Sequence, residues 1–223
     1  MTRAGRLALL LLLTWWTWRL LTHVFDQEVV GGSFLHVVDL MFHEAGHWIF
    51  SPFGEFMTVF GGSLMQCLVP IICGIAFFRT SRDMFAVSVM GWWLGENLQD
   101  VAMYINDSRD LKLQLLGGGT GAEIEGHDWE HLLTMMNALH LDHTIGRVVQ
   151  VIGAVLMIGS LVAAVILVLP RGRRGSAGGT RTAGTRTSPG RPPRPGPAGT
   201  STTAPRRAPA NQTAAPTGSP SPR

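Results

Sequence analysis

The chain has 223 residues, of which 46% are hydrophobic and only 15% are charged, and its formal net charge is +3. Soluble domains usually have about 25% charged residues, so this composition excludes an ordinary soluble domain and favours an integral membrane protein. The positive charge lies at the carboxyl end, because ten arginines and no acidic residue occur from Arg171 onward.

The first predicted element is a membrane anchor at the amino terminus. An apolar run, LALLLLLTWW, follows Arg3 and Arg6, and no small-residue cleavage site comes after it. A basic start followed by an unbroken apolar run without such a site is typical of an uncleaved anchor.

Three later stretches are predicted to cross the membrane, over 62–78, 84–104 and 148–169, because each is long and apolar. The stretch 34–50 is apolar but contains several ionisable residues, so it either crosses fully or is only partly inserted. If it crosses fully, the chain has five membrane spans, and if it is only partly inserted, the chain has four. Four spans place Arg3, Arg6, Arg79, Arg82 and the carboxyl-terminal tail together on the cytoplasmic side, as the positive-inside rule favours, and place the loop 106–142 outside.

The sequence therefore predicts an all-α integral membrane protein of the plasma membrane, with a bundle of four to five helices over 1–170. The segment 171–223 is rich in Pro, Gly, Ser, Thr and Arg and has almost no apolar residues to bury. Such a segment does not gain enough from burial to offset the entropy of ordering, so we expect a disordered tail. Its arginines indicate contact with lipid headgroups or solvent and no specific nucleic-acid partner.

The segment HEAGH carries the main chemical signal. His43 and His47 are one helical turn apart and project from one helix face, where both rings can bind one metal ion. Glu44 is rotated by about 100° from His43, where it can hold a water molecule without binding the ion. Ionisable groups at membrane depth are costly and usually functional, so the sequence predicts a Zn²⁺ site with Glu44 as the catalytic base.

This motif, in an apolar segment followed by FGGSLMQCLVP, resembles the membrane-embedded zinc metalloproteases of the site-2 protease class. The chain is also similar to bacterial membrane proteins that carry HExGH, SPFGE and HDW segments. The resemblance implies an HExxH helix within the bilayer and hydrolysis of membrane-protein or peptide substrates. It also implies a third zinc ligand from an aspartate in an LDG setting, which this chain lacks.

Several residues are candidates for the missing third ligand. Asp100 is the first choice, since it shares a helix face with Asn97, which is predicted to orient a substrate backbone. The alternatives are His127 or Asp128 in the loop, and then Glu96. Asp39, four residues before His43, is predicted to accept a hydrogen bond from the His43 ring.

The sequence leaves three functions open. The first is a zinc-dependent intramembrane peptidase, the second a metal-binding membrane protein without hydrolytic activity, such as a sensor or a transport component, and the third a membrane scaffold. The substrate, the cleavage site and the oligomeric state do not follow from the residues.

Overall fold

The computed structural model describes residues 1–116 and 118–169, and the described chain is helical and contains no β-sheet. The prediction of an all-α fold is confirmed for these residues, while the predicted tail, 171–223, lies outside them. The helices are α1 (Arg3–Thr22), α2 (Gln27–Val30), α3 (Phe34–Phe50), α4 (Glu55–Thr80), α5 (Met84–Asn106), α6 (Asp128–Met135) and α7 (Asp142–Val168).

Two helical stretches are long and apolar enough to cross a membrane. They are α4 and the stretch Leu139–Val168, which joins a short 3-10 helix to α7. Their length and composition favour a membrane location. Helix α3 has 17 residues and is about 26 Å long. It is therefore shorter than the hydrocarbon core of a bilayer, which is about 30 Å thick.

Helices α1, α5 and α7 surround the main apolar core. The Trp92 side chain on α5 is only 2% exposed and donates a hydrogen bond from its indole Nε1 to Thr17 Oγ1 on α1, at 2.7 Å. Two turns further along α5, the Gln99 amide donates to the backbone oxygen of Gln150 on α7, at 2.9 Å. These two buried contacts tie both neighbouring helices to α5.

Helices α3 and α4 form a tight hairpin. Ser33 caps the start of α3 by accepting a hydrogen bond from the backbone N–H of His36, and the helix ends at a turn that contains Pro52. Gly54 follows with φ +94°, a conformation that favours glycine, and it allows the chain to reverse into α4. The carboxyl-terminal half of α3 therefore lies against the first turns of α4.

The segment between α5 and α7 is ordered by polar contacts around Asp107. Its carboxylate accepts hydrogen bonds from the backbone N–H groups of Lys112 and Leu113, at 3.0 and 2.9 Å. Burial opposes ionisation of this carboxyl group, but these bonds and the nearby His127 ring outweigh burial and lower the pKa of Asp107. His127 in turn caps α6, because its Nδ1 accepts a hydrogen bond from the backbone N–H of Glu130.

Candidate metal centre

The rings of His43 and His47 are held by their Nδ1 atoms. His43 Nδ1 lies 2.7 Å from the side-chain oxygen of Gln66, and His47 Nδ1 lies 2.8 Å from the backbone oxygen of Thr58. Both oxygens only accept hydrogen bonds, so each Nδ1 carries the donated proton. This arrangement leaves both Nε2 atoms as the candidate metal ligands, as in many zinc sites.

Asp128 from α6 faces these two Nε2 atoms. Its Oδ2 lies 2.8 Å from His43 Nε2 and 3.3 Å from His47 Nε2. Two ligand atoms of a tetrahedral zinc ion are separated by about 3.3 Å, so the His47 spacing suits a shared ion. The 2.8 Å spacing at His43 is that of a hydrogen-bonded pair and would lengthen by about 0.5 Å when both atoms bind one ion. Burial opposes ionisation of Asp128, but the two rings outweigh burial and the pKa of Asp128 lies below its ordinary value.

Three contacts from neighbouring residues hold Asp128 in this position. Its backbone N–H donates to the hydroxyl of Tyr104 on α5, at 2.9 Å. The adjacent Trp129 donates from its indole to Ser63 Oγ on α4, also at 2.9 Å. The ring of the preceding residue, His127, packs at a tilt of 51° against the Tyr104 ring, with centroids 4.3 Å apart. The start of α6 is thus fixed to both α4 and α5.

Gly62 on α4 leaves the space in which the two Nε2 atoms meet. A Cβ atom at this position would lie 2.5 Å from His43 Nε2 and 2.7 Å from His47 Nε2. A side chain here would therefore occupy the point on which the rings converge. Two imidazole nitrogens border this space, and Asp128 Oδ2 lies within 3.3 Å of both, so the donor set fits a zinc ion.

Glu44 completes the group on its solvent side. The candidate ligand atoms of His43, Glu44 and His47 all lie within 4.8 Å of one another, and the Glu44 side chain is exposed. All three side chains, with Asp128, line a cavity of about 500 Å³. The Glu44 carboxylate therefore lies beside the converging nitrogens and is accessible from the cavity.

Asp100 does not contact His43 directly, because Gln66 lies between them. Its Oδ2 accepts a hydrogen bond from the Gln66 amide at 3.1 Å, and its Oδ1 lies 2.7 Å from His36 Nδ1. Both oxygens of Asp100 are thus at hydrogen-bond distance from other side chains. The ring of His43 is connected to His36 through two intermediate side chains, Gln66 and Asp100.

Three other predicted site residues form a separate buried group. Asp39 Oδ1 accepts hydrogen bonds from Trp93 Nε1 at 2.9 Å and from Asn97 Nδ2 at 3.3 Å. Among the described residues, Asp39 Oδ2 and Glu96 Oε2 are buried and have no hydrogen-bond partner. Asp39 and Asn97 are fully buried, and Glu96 is 1% exposed. Asp39 had been predicted to accept a hydrogen bond from the His43 ring, but the acceptor at His43 Nδ1 is Gln66. Asp39 instead joins α3 to α5.

The second histidine pair, His127 and His131, does not converge on one point. His127 is buried and caps α6, with its Nε2 3.5 Å from Asp107 Oδ2. His131 is half-exposed and its Nε2 lies 3.0 Å from the Glu55 carboxylate at the start of α4. Both rings hold the loop and α6 in place.

Two groups that hold the histidines were not predicted from the sequence. Gln66 is the polar residue in the apolar run LMQCLVP, and this isolated amide was the available signal. The contact from the backbone oxygen of Thr58 could not be predicted, because a backbone group is the same for every residue type.

No protein-family model, no curated protein and no solved structure matches this chain.

Proposed function

We propose that this protein is a zinc-dependent peptidase of the membrane that hydrolyses peptide bonds in membrane-protein substrates. The observation that carries the proposal is the convergence of His43 Nε2, His47 Nε2 and Asp128 Oδ2 beside the Glu44 carboxylate. Two histidines and a carboxylate are the donor set of many catalytic zinc sites, which keep one position open. In this proposal Asp128 is the third protein ligand.

We place four helices across the membrane, α1, α4, α5 and α7, with α3 only partly inserted. The exposed apolar side chains of α1 and α7 support this arrangement: Leu11 is 73% exposed, Trp18 69%, Val155 66% and Ile166 62%. Such faces avoid water when they lie against lipid. The tail is then cytoplasmic, and α6 with Asp128 lies on the outer side.

The chain's own residues supply the proton transfers of peptide hydrolysis. When bound, zinc would polarise the scissile carbonyl and acidify a water molecule. Glu44 accepts the proton of the attacking water and delivers it to the leaving amine, since its carboxylate is exposed to the cavity. The hydrogen bonds at both Nδ1 atoms keep the histidine rings oriented throughout.

The cavity also fits an apolar peptide segment. Beside the polar group it is lined by apolar side chains from α3, α4, α5 and the loop, among them Leu40, Val59, Val101, Leu113 and Leu115. An extended peptide with apolar side chains would bury them here and bring its backbone to the histidines. Substrates of this kind are segments of other membrane proteins.

The first test is metal content. The full chain, purified in detergent, should bind one zinc ion per molecule, and His43→Ala and Asp128→Ala should lose it. Glu44→Gln should retain zinc, because Glu44 is not a ligand in this proposal. A wild-type protein without affinity for zinc would contradict the proposal and leave the histidines and Asp128 as an ion-paired contact between α3 and α6.

The second test is cleavage of quenched fluorescent peptides with apolar central residues. Loss of a general base typically lowers the rate by about 100- to 10,000-fold, so Glu44→Gln should be inactive in practice. Glu28→Gln is the matched control, because Glu28 is an exposed glutamate on α2 that is not among the residues lining the cavity. Full activity in Glu44→Gln would contradict the assigned role.

A further inference from the structure

We infer that Gln66 is the positioning residue that fixes the His43 ring for metal binding, and that Asp100 fixes the Gln66 amide. The inference rests on the proposed function and assigns Asp100 to this support in place of direct metal binding. Its basis is the hydrogen-bonded series His43 Nδ1, Gln66 Oε1, Gln66 Nε2 and Asp100 Oδ2, with distances of 2.7 and 3.1 Å.

The donors and acceptors in this series can be arranged in only one direction. A carboxylate only accepts hydrogen bonds, so Asp100 requires the NH₂ group of Gln66 on its side. The amide oxygen must then face His43, where it accepts the Nδ1 proton. If the amide rotated by 180°, its NH₂ group would meet the Nδ1 proton and its oxygen would meet the carboxylate.

Burial makes this choice of orientation costly to reverse. Gln66 is 2% exposed and His43 is 6% exposed, so water does not replace a lost hydrogen bond easily. His36 holds the other oxygen of Asp100 at 2.7 Å and restrains the carboxylate from the opposite side. His36 on α3, Gln66 on α4 and Asp100 on α5 therefore determine which nitrogen of His43 is available to a metal.

The expected effect is on metal affinity. Groups that hold a histidine ligand through its second nitrogen typically change metal affinity by about 10- to 100-fold when they are removed. Gln66→Leu, which removes the acceptor, should weaken zinc binding within this range. Asp100→Asn should also weaken it, because an asparagine amide allows Gln66 to adopt either orientation.

The decisive variant exchanges the two functional groups. In the double variant Gln66→Glu with Asp100→Asn, the new carboxylate accepts the His43 Nδ1 proton and also accepts a proton from the new amide. We expect the zinc affinity of this double variant to return to within about 3-fold of the wild type. If Asp100 were itself a zinc ligand, the exchange would not restore affinity.

The experiment uses the full chain in detergent micelles, with zinc affinity measured by chelator competition. A second readout needs no metal: the ring N–H protons of ¹⁵N-labelled histidine are observed by NMR, and the His43 signal is identified by its absence in His43→Ala. A proton held by buried Gln66 should exchange slowly with water. The slow signal should disappear in Gln66→Leu and persist in the double variant.

Gln99→Leu provides the matched control, since Gln99 is also a buried glutamine but contacts Gln150 on α7. It should leave zinc affinity and the His43 signal unchanged. Equal loss in Gln99→Leu, or an unchanged affinity and signal in Gln66→Leu, would overturn the inference. If the wild type binds no zinc but the slow signal depends on Gln66, the positioning of the ring stands and the proposed peptidase function fails.

Discussion

A single methyl group at Gly62 should damage the proposed metal centre. In Gly62→Ala the new Cβ would lie 2.5 Å from His43 Nε2 and 2.7 Å from His47 Nε2, within the space between the rings. Alanine has a higher helix propensity than glycine by about 1 kcal/mol, so α4 itself should not be weakened. The substitution therefore tests the space at the histidines more than the stability of the helix.

The size of the effect follows from these two distances. Ordinary contact for a Cβ atom begins at 3.4 Å, so the rings or α4 must retreat by about 0.7 to 0.9 Å. Such a movement would stretch the Nδ1 hydrogen bonds to Gln66 and Thr58, which are 2.7 and 2.8 Å long. Misplacement of this order typically costs about 100-fold in activity. We expect zinc affinity to fall at least about 10-fold.

The assay is chelator competition for zinc on the purified chain, accompanied by thermal unfolding. Gly74→Ala is the control on the same helix, because its Cβ would lie 3.4 Å from the Met90 Cβ and needs no movement. Gly74→Ala should bind zinc like the wild type. Wild-type zinc affinity in Gly62→Ala would refute the assignment of both Nε2 atoms to the metal.

Two further predictions concern stability. Because the pKa of Asp107 is lowered in the folded chain, its carboxylate stabilises the fold at neutral pH, and this contribution is lost as the pH falls below about 4 and through the folded pKa. Asp107→Asn should therefore lower the unfolding temperature at pH 7, with a difference from wild type that shrinks at acidic pH; a constant difference from pH 7 to 3 would contradict this. Trp92→Ala should cost about 3 to 5 kcal/mol of unfolding free energy, because it empties a buried site and leaves Thr17 without its donor. Trp48→Ala, at a side chain that is 84% exposed, should have little effect in the same denaturant titration.

The sequence was sufficient for the local parts of the site. The stretch predicted over 34–50 is the helix Phe34–Phe50, and the four-residue spacing of His43 and His47 places both rings on its one face. Helical periodicity determines such relations within one element. The same reasoning predicted helices near 84–104 and 148–169, although α5 and α7 extend beyond these limits.

Relations between elements could be given only as ranked alternatives, in which Asp128 came after Asp100 as the third ligand. The carboxylate beside the histidines belongs to Asp128 on a short helix outside the predicted spans, and its position depends on contacts with Tyr104 and on the Trp129 contact with Ser63. Residue types do not reveal which loop folds over which helix. Asp100 has the expected chemistry and helix face, but its two oxygens are engaged by Gln66 and His36.

The separation of 85 residues between His43 and Asp128 has a consequence for biosynthesis. A ribosome completes the HEAGH helix, α4 and α5 well before it adds the residue that closes the zinc site in our proposal. Until α6 has emerged and docked, the nascent chain offers only two imidazoles and Glu44 to a metal. In our proposal the complete set of metal ligands therefore forms only after α1, α3, α4 and α5 have been synthesised.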